Sequence, residues 1–141
     1  MKDTLDYLYA LRNRGSDFGL DRMIAFASRL GNPQLSFPVI HVAGTNGKGS
    51  VCSMLDAVYR ANGYSVGLFS SPHLIDLGER IRVNGVNLSM IELAAFVEEL
   101  KAVAEKMESE QSGFHPTFFE FMTAMAFLTF ERAKVDLAIF E

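Results

Sequence analysis

Apolar residues in the first thirty positions recur at helical spacing. From Thr4 to Arg14, Leu5, Leu8 and Arg12 share one face, which predicts a short helix. Gly15-Ser16-Asp17 interrupts it. Leu20, Met23, Ile24, Ala27 and Leu30 then repeat at the same spacing before Gly31-Asn32-Pro33 stops the pattern. A second helix is expected there. At Phe37 the pattern changes. Phe37 to Ala43 is short, apolar and β-branched, which suits a buried strand, and Gly44 to Gly49 is a glycine-rich turn. Ser50 to Asn62 reads as a helix with Val51, Leu55, Val58 and Tyr59 inward and Gly63 as its C-terminal cap. Tyr64 to Ser70 reads as a second buried strand, so a strand, tight loop, helix and strand follow one another and a parallel pair is expected.

Pro72 ends that strand. Glu79 to Val83 alternates polar and apolar before Asn84-Gly85, a strong hairpin signal. A small antiparallel excursion is expected over residues 79–88. Ser89 and Glu92 match a capping box. The helix behind them aligns Leu93, Phe96, Val97, Leu100, Val103, Ala104 and Met107, while Glu98, Glu99, Lys101, Glu105 and Lys106 read as a solvated face. After a polar loop at 108–116, Thr117 to Arg132 predicts a helix apolar nearly all round. Val135 to Phe140 predicts a third buried strand ending on Glu141. The fold class is therefore α/β, a mostly parallel sheet flanked by helices with one small antiparallel hairpin.

The 141 residues are 49% hydrophobic, enough for one compact domain, and the formal charge of −4 gives no electrostatic support to a nucleic-acid partner. A single cysteine, Cys52, rules out a disulfide framework within the chain and reads as a small buried apolar residue. Residues 1–10 carry Lys2, Asp3 and Asp6 and lack the apolar run of a signal peptide. The longest apolar stretch, Phe118 to Phe130, is too short to span a bilayer. A cytoplasmic location without membrane partners is expected. His41 falls on a buried strand and is expected to be a hydrogen-bonded core residue; His73 and His115 receive no role.

Ala43-Gly44-Thr45-Asn46-Gly47-Lys48-Gly49-Ser50, between a buried strand and an amphipathic helix, is the strongest local signal. Glycines let the backbone curl so that its N–H groups and the following helix N-terminus form an anion cradle. Lys48 can reach the β- and γ-phosphates of a nucleotide, and Ser50 offers a hydroxyl where Mg²⁺ needs a ligand. The loop departs from the common P-loop pattern, because Val42 stands where its first glycine belongs and Gly49 separates Lys48 from Ser50.

That variant loop is similar to the loop of the folylpolyglutamate synthase and dihydrofolate synthase family, a branch of the Mur ligase superfamily. Gly67 to Leu74 (GLFSSPHL), Glu79 to Gly85 (ERIRVNG), Thr117 to Phe121 (TFFEF) and Phe18 to Arg22 (FGLDR) resemble further stretches of that family, in its order. The resemblance implies the N-terminal portion of a P-loop NTPase-like ATP-binding domain, with the rest of that domain and a C-terminal glutamate-binding domain absent. It implies ATP contacts from Thr45, Asn46, Gly47, Lys48, Gly49 and Ser50, with Lys48 catalytic, and Mg²⁺ contacts from Ser50, Ser71 and Glu141. It also implies a substrate pocket lined by Phe18, Gly19, Leu20, Asp21, Ser70, Thr117, Phe118, Phe119 and Glu120. On the residues alone, Ser71 equally suits a turn and Glu141 a solvated strand end, and at least two of Phe118, Phe119 and Phe121 are expected in the core.

The activity so implied is ATP-dependent addition of L-glutamate to dihydropteroate or folates through an acyl phosphate, with no enzyme nucleophile. Residues 1–141 alone are expected to show no ligase turnover, and Val135 to Phe140 is expected at an open sheet edge that promotes self-association. Rival readings are another Mur-type ligase with a different acid substrate, a nucleotide-dependent switch or transport protein, and a non-catalytic nucleotide-binding module completed by a partner chain.

Overall fold

A computed structural model describes residues 2–13, 19–72 and 75–141. Phe18 and His73 lie outside the described residues. Two compact units divide the chain, one drawn from Met1–Pro33 and Met90–Phe127, the other from Gln34–Ser89 and Leu128–Glu141.

The first unit is helical. It contains α1 (Lys2–Asn13), α2 (Asp21–Arg29), α4 (Met90–Glu110) and the opening turns of α5 (Phe118–Ala133). On α4, Leu93, Val97, Leu100, Ala104 and Met107 are buried, the i, i+4, i+7 stripe read from the sequence. Phe121, Met122, Ala124, Met125 and Ala126 of α5 are also buried. The buried residues of α1 are Thr4, Leu8 and Leu11, so of Leu5, Leu8 and Arg12 only Leu8 is among them. In helix α2 the buried residues are Arg22, Phe26 and Ala27, whereas Leu20 is 72% exposed and Ile24 is exposed. Of the residues at helical spacing only Ala27 is among the buried ones, and a charged residue, Arg22, takes an interior position in an ion pair. Lys101 also leaves the solvated face assigned to it, since its Nζ lies 5.0 Å from the centroid of the Tyr7 ring, a cation–π contact. The Tyr7 hydroxyl lies 2.9 Å from His115 Nε2, and His115 Nδ1 lies 2.9 Å from the Pro116 carbonyl. That carbonyl can only accept, so Nδ1 donates to it.

The second unit holds a five-stranded sheet made of β1 (Val39–His41), β2 (Val66–Phe69), β3 (Ile81–Val83), β4 (Val86–Asn87) and β5 (Leu137–Phe140). The order is β1-β5-β2-β3-β4; β1 and β2 both run parallel to β5, and β3 and β4 add antiparallel. Asn84 (φ 51°) and Gly85 (φ 78°) make the hairpin turn between β3 and β4, as the Asn-Gly pair requires.

Strand β5 is interior, between β1 and β2, not an open edge, and every residue of β5 and β2 is buried. The edge falls instead on β1, where Val39 and His41 are exposed, so His41 is not the core residue expected of it. Helix α3 (Lys48–Ala61) covers one sheet face through Cys52, Leu55 and Tyr59 against Ile40, Val42, Val66, Leu68, Leu137 and Ile139. Val51 and Val58 of α3 point outward, so its inward stripe runs through Cys52. On the opposite face the Phe130 ring lies against Gly67 and packs edge-on against Phe37 and Phe140.

Candidate functional site

Three parallel strands deliver their C-terminal ends to one side of the sheet in the second unit. The Val42 amide donates to the Phe140 carbonyl (2.8 Å), and the Glu141 amide donates to the Phe69 carbonyl (3.0 Å), one residue before Ser70. The phosphate-loop candidate, the Ser70-Ser71 segment and Glu141 therefore emerge side by side. The carboxyl edge of such a sheet is where ligands of open α/β folds sit.

Loop geometry follows from its glycines. Gly44 (φ 152°) and Gly47 (φ 78°) occupy positive φ, where a side chain is strained. Gly47 is the N-terminal cap residue of α3, and its carbonyl accepts the first helical hydrogen bond, from Val51 (3.0 Å). The amides of the first turn then have no carbonyl within the helix to bond, and they add to the positive end of the helix dipole.

Lys48 folds back over this turn; a Cβ on Gly44 would stand 3.9 Å from Lys48 Cγ. A Cβ on Gly49 would stand 4.0 Å from Glu141 Oε2. The carboxylate thus faces the first turn of α3. Cys52 is buried just inside, and its thiol pKa is pushed up by burial first and by Glu141 second, against a downward pull from Lys48. Both charges of the candidate site act on that one sulfur.

Ser50, Thr45 and Asn46 are exposed, while Ser70, Ser71 and Glu141 are half-buried. An oxygen set of two hydroxyls and one carboxylate fits Mg²⁺, which takes few protein oxygens and keeps water and phosphate in its remaining positions.

A second cluster lies in the helical unit. Glu120, at the start of α5, accepts from the Thr117 amide (2.9 Å), and its own amide donates to Thr117 Oγ1 (3.2 Å). This is a capping box, and Thr117-Phe118-Phe119-Glu120 carries its sequence pattern as plainly as Ser89 to Glu92 does. The same Glu120 oxygen accepts from Arg22 Nε at 2.6 Å. Gly19-Leu20-Asp21 and Thr117 to Glu120, two segments assigned to one substrate pocket, are therefore brought together within one unit. Phe119 is 54% exposed, Phe118 is half-buried and Phe121 is fully buried, so one of the three rings faces out. Sequence reading missed Arg22, although it ends the Gly-Leu-Asp-Arg stretch.

Known proteins match this arrangement. A dihydrofolate synthase/folylpolyglutamate synthase of Bacillus subtilis is 42% identical over 141 residues, 99% of this chain and 33% of that protein. A Mycobacterium tuberculosis folylpolyglutamate synthase solved with ADP superposes with a TM-score of 0.85 at 38% identity, over 98% of this chain and 31% of that one. The chain belongs to the folylpolyglutamate synthase family. A solved FPGS–AMPPCP–folate complex superposes with a TM-score of 0.89 at 32% identity, over 98% of this chain and 34% of the other. The chain spans about a third of the length of the family members it matches. No family model matches it. Among the described residues, no helix is long and apolar enough to cross a membrane.

Proposed function

We propose that the chain forms the nucleotide-binding and pteridine-binding side of a cytoplasmic ATP-dependent ligase that joins L-glutamate to dihydropteroate or to a folate. The observation that supports this most is the convergence of a glycine cradle, Lys48 and Glu141 at the carboxyl ends of β1, β2 and β5. The negative charge of ATP would be met there by fixed groups: the amides of residues 44–50 and Lys48 would bind its polyphosphate, with the positive end of the helix dipole toward it. Ser50, Ser71 and Glu141 would hold Mg²⁺, which when bound neutralises charge on the β- and γ-phosphates.

A carboxylate is a poor partner for an amine because its oxygen leaves badly. Transfer of the γ-phosphoryl to that oxygen gives an acyl phosphate and ADP. The glutamate amine then attacks the carbonyl carbon, the carbon–oxygen bond to phosphate breaks, and phosphate leaves as the nitrogen loses a proton to water. Lys48 and the loop amides hold the transferring phosphoryl and exclude competing orientations, work that is mainly electrostatic. Gly19 to Asp21 and Thr117 to Phe119 hold the pteridine end, with the exposed Phe119 ring offering a flat apolar surface to the heterocycle. The open side of β1 is the edge through which self-association would run.

Calorimetric titration with AMPPCP and Mg²⁺ tests the nucleotide half. Lys48→Ala should lower affinity at least tenfold while leaving the circular dichroism spectrum unchanged. Equal affinity in the variant would overturn the assignment of the loop.

A further inference from the structure

We infer that Arg22 is a positioning residue for the pteridine end of the site, acting through Glu120 rather than on the ligand. The inference rests on the pteridine reading above. Arg22 and Glu120 are separated by 98 positions, yet their side chains are 10% and 11% exposed and meet Nε to Oε1 at 2.6 Å. That oxygen also takes the Thr117 amide. One carboxylate oxygen therefore does two jobs: it closes the first turn of α5, and it ties that turn to α2. Both jobs fix the two segments assigned to the ligand, because Leu20 lies two residues before Arg22 and Phe119 one residue before Glu120.

The local chemistry explains why arginine stands on an otherwise apolar helix face. Its guanidinium supplies a donor in a fixed plane, so the bond sets an orientation as well as a distance. The exposed side chains Leu20 and Phe119 flank this buried pair in sequence. Oε1 of Glu120, already holding two donors, has little remaining capacity for a third. On this inference the pair shapes the walls of the pocket, and the variants below separate that role from direct contact through the second oxygen, Oε2.

The test titrates the wild-type chain, Arg22→Lys and Glu120→Gln with dihydropteroate and with folate by pteridine fluorescence. AMPPCP with Mg²⁺ is titrated in parallel. Lysine keeps the positive charge opposite the carboxylate but loses the planar donor; glutamine keeps an oxygen that can accept from both Arg22 and Thr117. Arg22→Lys should weaken pteridine binding about tenfold with nucleotide affinity within twofold of wild type, and Glu120→Gln should lose less. A carboxylate that itself grips the ligand gives the reverse order, which overturns the inference. So does an unchanged pteridine affinity in Arg22→Lys, or a joint loss of pteridine and nucleotide binding that tracks the unfolded fraction. A wild-type chain that binds nucleotide but neither pteridine overturns the pteridine reading as well, and so separates the two failures.

Discussion

Replacing Gly49 by alanine should stabilise the fold and damage the nucleotide site at once. Gly49 sits in the first turn of α3, outside the positive-φ region, and the added methyl would meet only Glu141 Oε2, at 4.0 Å, an ordinary contact. Nothing opposes the gain in helix propensity, about 0.5–1 kcal/mol, which for a chain of this size raises Tm by about 2–5 °C. The same methyl projects into the gap between the cradle and the carboxylate, where phosphate and Mg²⁺ are proposed to stand. Losing one charge-assisted hydrogen bond costs about 1.5–3 kcal/mol, a drop in affinity of about 10- to 100-fold. Thermal unfolding with and without AMPPCP and Mg²⁺ reads both effects. At a nucleotide concentration of about 100 times its Kd, the wild type should gain about 2.7 kcal/mol and the variant far less. The order of melting therefore inverts: the variant melts later alone and earlier with nucleotide. A nucleotide-induced shift equal to that of the wild type would refute the placement of the ligand between Gly49 and Glu141.

Gly67→Ala should do harm in the core instead, because its Cβ would lie 2.6 Å from Phe130 Cδ1 and that ring is pinned between Phe37 and Phe140; overpacking of this kind costs about 1–3 kcal/mol, and a urea midpoint within error of the wild type would contradict the packing. Cys52 should titrate above the ordinary thiol range in an ultraviolet thiolate titration, lower in Glu141→Gln and higher in Lys48→Ala, since the two charges pull its pKa in opposite directions; shifts of like sign in the two variants would show that the charges do not flank α3. Because the folded protein holds that proton more tightly than the unfolded chain does, the stability linked to Cys52 is present below the unfolded thiol pKa and is lost as pH rises through the folded one.

Much of this was legible in one dimension. The α4 stripe, the Asn84-Gly85 turn and the glycine loop between strand and helix are local signals, and each is set by residues within a few positions of one another. What failed was long-range. Nothing local in Val135 to Phe140 says that it inserts between β1 and β2, since a fully buried strand reads the same at any interior place. The interior place of Arg22 on α2 was not legible, because a hydrophobic count cannot credit a buried arginine whose partner lies 98 positions away. The Thr117–Glu120 capping box was readable by the rule applied at Ser89, but the apolar residues around it drew the reading toward stacking. In the candidate site, the loop was visible from its glycines, whereas Glu141 at a strand end suited a Mg²⁺ ligand only if 135–140 lay beside the loop strand, and its approach to Gly49 depends on a sheet order that no local pattern gives.

The interior place of β5 also bears on how the molecule is made. A chain leaving the ribosome can pair β2 with β3 and β3 with β4 from near neighbours as soon as they emerge. Strand β1 must wait, since its only partner among the described strands, β5, is synthesised after all of them. Until β5 pairs, the loop that follows β1 has neither that neighbouring strand nor Glu141 beside it. Among the described strands, the β1–β5 pairing that seats the loop beside Glu141 joins the most distant segments, so the candidate site is expected to form after the β2–β3–β4 pairing, by a slow, non-local step.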